Sequence, residues 1–354
     1  MTPADLSRTV LHAVRRAVDE DALRAPVPAR VRVERTRPGG SGDYACAVAL
    51  QLAGAAARPA REVAAILRDR VAGMPGIGRV EVTGPGFLNF TLDATADARV
   101  REALIHDVRE RGARYGHGDA LAGDRLHFRH ARDVRAAVTA HALAAIARSQ
   151  GASARTGCDG TPDPEWARLG VSADAAGDPD GTLTVVRPVP ADAGAAELLG
   201  RLGPDAARWG LLRPAGPDRA PLGDELLVQT VANPLFLVRY ARSRTRALTR
   251  GAALLGFEGS YDEDVDAPAL MRALADYPDA LAAAARHRAP DRLARQLEDL
   301  ARAFFDFQDC ASPLPVGDEK PLAAHRSRLA VAEAAGTVLA GGLSLLGIRA
   351  PEHL

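Results

Sequence analysis

Apolar positions in the first third of the chain switch between two periods. Leu6, Val10, Leu11, Val14 and Val18 recur every three or four residues, which predicts an amphipathic helix with Thr2 as N-cap and Pro3 at the first helical position. Residues 31–36 alternate apolar and charged, as a half-buried strand does. Helical spacing returns over 61–71. Two short strands are expected over 80–92, parted by Gly84-Pro85-Gly86, and a helix over 96–111 that stops at Gly112. This is the pattern of a small α+β domain, assigned to residues 1–119. The last third carries helical periodicity throughout, with expected helices over 234–251, 268–288, 291–310 and 320–346, and Pro or Gly at the breaks. Their apolar faces call for a helix bundle over 226–354. Residues 120–225 lie between, interrupted by a run rich in Gly, Asp, Pro and Ser over 151–181.

Composition narrows the class. The chain has 354 residues, with 47% hydrophobic and 25% charged side chains, which suits a folded chain of two or three domains. Forty-five basic and 45 acidic residues cancel, so a uniformly basic coat is excluded while a local basic stripe is not. Lys320 is the single lysine. Cys46, Cys158 and Cys310 are widely spaced and form no C-x-x-C pair, so neither a metal site nor a disulfide framework is expected. No uninterrupted run of 18 apolar residues occurs, and the charged N-terminus lacks a signal-like core. A cytoplasmic protein is expected, with neither a membrane nor DNA as partner.

Two motifs in the first domain resemble a known family. Gly42-Asp43-Tyr44-Ala45, followed by Ala49-Leu50-Gln51-Leu52-Ala53, and Gly84-Pro85-Gly86-Phe87-Leu88-Asn89-Phe90 are similar to the N-terminal add-on domain of arginyl-tRNA synthetases. Asn233-Pro234-Leu235-Phe236-Leu237-Val238-Arg239-Tyr240-Ala241-Arg242-Ser243-Arg244 resembles the opening helix of that family's DALR anticodon-binding domain. Residues 291–310 and the tail from Leu346-Gly347-Ile348 to Glu352 resemble its later helix and terminus. The resemblance implies tRNA as partner, with arginine-accepting tRNA as the candidate. It places Tyr240 close to the anticodon, and Phe87 and Asn89 toward the D-loop.

In the middle segment the resemblance thins. The family's nucleotide fold carries an H-x-G-H motif, and here that position reads His130-Ala131-Arg132-Asp133. Arg132 fills the space a glycine leaves for adenine, and Asp133 puts a negative charge where a phosphate donor is needed. No lysine stands where a K-M-S-K-type loop would place one; Arg187 is the basic residue nearest to it. The family pattern resumes at Glu197-Leu198-Leu199 and Gly203-Pro204-Asp205. The expected fold class is therefore α/β plus all-α: a small N-terminal α+β domain, a reduced Rossmann-like nucleotide-fold remnant and a C-terminal anticodon-binding helix bundle. No catalytic residue, metal or cofactor is assigned, and ATP binding is expected to be lost.

Helix geometry adds a candidate surface. At roughly 100° per residue, Arg239, Arg242, Arg246 and Arg250 share a stripe about 80° wide, with Phe236 and Tyr240 at its border. No Asp or Glu occurs between Gln229 and Phe257. Such a stripe suits phosphate contact and base stacking; it equally suits a solvated face paired with the acidic run at 262–266. The expected function is non-catalytic tRNA binding. The alternatives are residual arginine–tRNA ligase activity and a protein-interaction module that binds a synthetase or another partner.

Overall fold

A computed structural model describes residues 3–36, 41–172 and 181–354; Thr2, the expected N-cap, lies outside them. The chain divides into two compact units, Met1–Ala103 and Leu104–Leu354.

The first unit holds α1 (Pro3–Asp19), β1 (Val33–Arg35), β2 (Tyr44–Cys46), α2 (Val48–Ala56), α3 (Ala60–Val71), β3 (Ile77–Thr83) and β4 (Phe87–Leu92), and α4 (Ala94–Arg111) begins in it. The strands form an antiparallel sheet in the order β1-β2-β4-β3. Its core joins Leu6, Val10 and Val14 of α1 to Leu67 of α3 and Leu88 and Phe90 of β4, so the helical period seen in the sequence is the buried face of α1. The two family-like motifs are one structural unit. Tyr44 pairs with Phe90 and Ala45 with Asn89 across β2 and β4, while Asp43 N donates to Phe90 O at 2.7 Å and Asp43 Oδ2 accepts from Leu92 N at 2.8 Å. Gly42, with φ +76°, lies on the Phe90 backbone, where a Cβ would stand 2.8 Å from the carbonyl oxygen.

The second unit opens with β5 (Arg125–His130), α5 (Val134–Ser149), β6 (Ser153–Cys158) and β7 (Thr182–Val186), a parallel sheet in the order β6-β5-β7. Helix α5 covers one sheet face: Ala140, Leu143, Ala144 and Ala147 pack on Phe128, Ala154 and Val186. After α6 (Ala195–Leu212) come α7 (Pro234–Leu254), α8 (Pro268–His287), α9 (Pro290–Cys310) and α10 (Ala323–Leu345). These four match the expected helices to within a few residues. Helix α10 is long and apolar enough by composition to cross a membrane, but 67% of that stretch is buried in the bundle, where its apolar residues serve as core.

The packing shows no break at 119 or 225. One continuous core runs from Val108 through Ala137, Val138 and Ile146 of α5, Leu198 and Trp209 of α6, and on to Leu297 of α9 and Leu339 of α10. Residues 120–225 therefore share their core with the helices that follow. Two buried arginines pin this union. Arg135 donates from Nε to Leu211 O (3.1 Å), from Nη1 to Val189 O (2.8 Å) and Asp218 O (2.6 Å), and from Nη2 to Pro214 O (3.2 Å) and Ala215 O (3.0 Å). Arg208 donates to Leu346 O at 2.9 Å and Leu169 O at 2.6 Å, and burial pushes its pKa down to about 10. Gly347, with φ +70°, gives the Arg208 guanidinium its room; a Cβ there would overlap it.

Candidate nucleic-acid interface

Helix α7 starts where the sequence dictates. Asn233 accepts from Leu235 N at 3.1 Å, its Nδ2 donates to Leu226 O and Val228 O at 2.9 Å each, and Pro234 takes the first helical position. Positions 236, 240 and 244 then fall on one face at i, i+4 and i+8. The Phe236 and Tyr240 rings stack with centroids 5.5 Å apart, and Tyr240 stacks on Phe305 of α9 at 5.1 Å. Phe304 meets Phe305 at 5.3 Å, tilted by 60°, and anchors the row to the core. Tyr240 remains 38% exposed at the centre of the row. One turn on, Arg244 is exposed and its Nε donates to Gln308 Oε1 of α9 at 3.2 Å. The result is a stepped aromatic surface with a guanidinium and an amide at one end. It can meet an unpaired base at the exposed part of Tyr240 and a phosphate or base edge at Arg244.

The arginine stripe expected from the helical wheel is not an open surface. Arg239 is half-buried, with Nη2 3.9 Å from Oδ2 of the buried Asp205 on α6, a carboxylate that also accepts from Arg349 Nε at 2.9 Å and from the Arg349 amide at 3.1 Å. Arg242 is half-buried beside Gly336 of α10, and its pKa is lowered by burial and then by neighbouring Arg246. Arg246 Nε lies 3.2 Å from Glu352 Oε1, and Arg250 donates to Glu352 O at 3.3 Å beside His353. The acidic partners therefore come from α6 and residue 352. Within the 262–266 run, Asp262 accepts from Ser260 and Asp264 from Tyr261. A wheel shows which residues share a face; it cannot show that a segment a hundred residues later lies across it.

The other expected residues divide. Phe87, at the start of β4, is 37% exposed and stays available for stacking. Asn89 is buried and its Nδ2 donates to Thr83 Oγ1 at 2.7 Å, so the amide ties β4 to β3 and is not offered to a base edge. His130 ends β5 buried, with Nδ1 2.8 Å from Ala131 O and its ring 5.7 Å from that of Trp166. It shares the wall of a cavity of about 260 Å³ with Cys158 and Trp166. Asp133 is the N-cap of α5, its Oδ1 accepting from Ala136 N at 2.8 Å, and Arg132 is exposed on the turn between them. The expectation that Asp133 acts as a charge toward a nucleotide gives way to a structural one: the carboxylate satisfies the helix start. Arg244, Phe305 and Gln308 were missed. The i+4 step from Tyr240 points to Arg244, whereas the α9 side chains meet the face only through tertiary packing.

An N-terminal α+β domain, a nucleotide-fold fragment and a helix bundle with an exposed aromatic face define the class: an aminoacyl-tRNA synthetase architecture with a reduced catalytic core. The comparisons agree. The Arginyl tRNA synthetase N terminal domain matches residues 5–92, and the DALR anticodon binding domain matches residues 238–354. The chain is 28% identical to the arginine–tRNA ligase of Frankia alni and 26% identical to that of Renibacterium salmoninarum, with both chains covered in full over 555 and 553 aligned positions. Among solved structures, Thermus thermophilus arginyl-tRNA synthetase superposes with a TM-score of 0.66 at 16% identity over all of both chains. The Plasmodium falciparum arginyl-tRNA synthetase gives 0.70 at 9% identity over 99% of each. These two share the fold. The chain carries matches to the family's N-terminal and anticodon-binding domains and is shorter than the arginine–tRNA ligases it resembles. Against 555 aligned positions it has 354 residues, so about 200 positions of the relative have no counterpart. Since both ends match, that shortfall lies between residues 92 and 238.

Proposed function

We propose that this chain binds tRNA through its anticodon-binding domain and does not aminoacylate it. The observation that carries the reading is the exposed Tyr240, held between half-buried Phe236 and Phe305 beside Arg244, on two helices of the anticodon-binding bundle. The remnant of the nucleotide fold supports the second half. Its sheet has three strands among the described residues, Asp133 is spent as a helix cap, and His130 faces Trp166 and its own backbone. The exposed Lys320 lies outside the remnant, between α9 and α10. The residues present do not fit the polyphosphate of ATP, and no catalytic step is assigned to them. Arginine-accepting tRNA is the first candidate ligand, because the named relatives are arginine–tRNA ligases.

The test is tRNA binding over a salt series. Tyr240→Ala should weaken binding about five- to 150-fold, the range of one base–aromatic stack of ~1–3 kcal/mol. Arg244→Glu should weaken it further and flatten the salt dependence. Arg242→Glu/Arg246→Glu should act mainly on stability, since those side chains face the chain's own residues. Wild-type protein that fails to bind any tRNA at low salt refutes the reading. ATP–pyrophosphate exchange with arginine would replace its second half with residual ligase activity. No observation singles out a protein partner: the acidic groups against the arginine stripe belong to this chain.

A further inference from the structure

Strand β7 lies at the edge of its sheet, and its carboxyl end opens on a cavity of about 530 Å³. Parallel sheets ordinarily hold ligands at the carboxyl ends of their strands. The cavity lies on the α5 side of the sheet, between residues 211–217 and the junction of α8 with α9. It shares no lining residue with the smaller cavity beside His130. Its volume falls within the about 300–1,000 Å³ typical of small-molecule sites.

The walls are chemically divided. Leu143, Val186, Leu211 and Leu212 are buried and give an apolar floor. Thr184 stands among them, 5% exposed, and its Oγ1 has no hydrogen-bond partner. Buried hydroxyls are ordinarily satisfied, and valine would fill the same space without an orphan. Arg187, Arg288 and Arg292 are exposed and line the mouth. Among the described residues none of these three guanidinium groups has a hydrogen-bond or ion-pair partner. The other two arginines of the wall are occupied: Arg135 by its five carbonyl oxygens, and Arg295 by Asp291 at 3.1 Å. Asp291 is the one carboxylate among the lining residues, and that pairing neutralises it.

The backbone adds to the positive character. Arg288 closes α8 at φ +53°, a left-handed position that ordinarily goes to glycine, and here it brings a guanidinium to the cavity. Ala289 offers no side-chain acceptor to the first turn of α9, whose amide end forms part of the same wall.

We propose that this cavity binds a small organic phosphate, its phosphate at Arg187, Arg288 and Arg292, its apolar or aromatic body on the floor, and a polar atom of that body hydrogen-bonded to Thr184 Oγ1. Guanidinium forks match phosphate oxygens, and a helix amide end favours the same anion. A phosphate monoester carries about −1.5 to −2 charges at pH 7, which suits three unpaired cations better than a carboxylate does. Inorganic phosphate alone would leave the apolar floor and the threonine without a partner. The site is separate from the Tyr240 surface and does not depend on tRNA binding.

The probe is 4-methylumbelliferyl phosphate, whose aromatic body carries a carbonyl that can accept from a hydroxyl. Calorimetry with the full chain compares it with 4-methylumbelliferone and with inorganic phosphate. Wild type should bind the phosphate ester about tenfold or more tightly than either control. Arg187→Gln/Arg292→Gln should lose about tenfold or more, the scale of a lost charge-assisted hydrogen bond. Thr184→Val should weaken binding about threefold to tenfold while its melting temperature stays level or rises, because the orphan hydroxyl is gone. A merely structural threonine would not separate the two readouts. A melting curve checks the fold of the double variant, and Thr184→Val carries the test if that variant melts early. An ester that binds no better than inorganic phosphate overturns the proposal, as do well-folded variants with unchanged affinity. Displacement of the bound ester by stoichiometric tRNA assigns the arginines to an RNA phosphate and overturns the small-ligand reading.

Discussion

Replacing Arg135 by Met removes five hydrogen bonds, all to carbonyl oxygens at 2.6 to 3.2 Å. One acceptor, Leu211 O, belongs to the last turn of α6, whose terminal carbonyls have no partner within the helix. A cation is favoured there by the helix dipole as well. Leu211 is buried, so its orphaned oxygen should cost about 1–3 kcal/mol. The other four acceptors lie on half-buried or exposed residues that water can reach in part, and each should lose about 0.5 kcal/mol. Against this stands the desolvation of a guanidinium whose five hydrogen-bond acceptors are all carbonyl oxygens, which lowers its pKa and which Met would relieve. The net expectation is a destabilisation of about 2–4 kcal/mol, or a fall of roughly 5–15 °C in the melting temperature of the second unit. Lys should rescue little, because an ammonium cannot span acceptors arranged around a planar fork. Calorimetry or urea unfolding of wild type, Arg135→Met and Arg135→Lys decides it. A Met variant within 0.5 kcal/mol of wild type, or a Lys variant equal to it, would refute the claim that carbonyl satisfaction outweighs desolvation at this site.

Two further outcomes follow from burial. Cys310 is exposed, Cys158 is half-buried with its thiol raised by burial and Asp159, and Cys46 is buried and pushed up to about 11; at pH 8 a disulfide reagent should find one fast thiol, a slower second, and a third only in denaturant. The Glu333 carboxyl is raised mainly by burial, with Thr249, Arg109 and Arg246 opposing. It holds its proton more firmly folded than unfolded, so its contribution is present at low pH and is lost as pH rises through the folded value. Glu333→Gln should therefore raise the melting temperature at pH 7, and that gain should shrink toward pH 4.

Much of the fold was legible because local rules agreed with the tertiary answer. Leu6 to Val18 announced α1, and Pro234, Pro268 and the breaks near 288 and 310 bounded the bundle helices. Strand β2 and helix α2 were missed: three residues and an Ala-rich nonamer carry too little period to stand out. The candidate site was legible in half. Tyr240 is exposed and Phe236, at the border of the helical wheel, is half-buried beside it, whereas the arginine stripe is met by Asp205 and Glu352 from distant sequence positions. Asn89 and Asp133 were given outward roles, while Thr83 and the Ala136 amide claim them inside. A polar side chain in a motif-like segment does not say whether its partner is a ligand or the backbone beside it.

The continuity of the second unit's core has a consequence for any attempt to divide it. The chain lacks counterparts for about 200 positions of the relatives it matches, yet what stands between its two matched domains is not separable from the bundle. Helices α5 and α6 share their packing with α9 and α10, and Arg208 grips the turn at Leu346. Helices α5 and α6 are thus the support on which the bundle rests, and their removal would bare the faces of α9 and α10 that they cover.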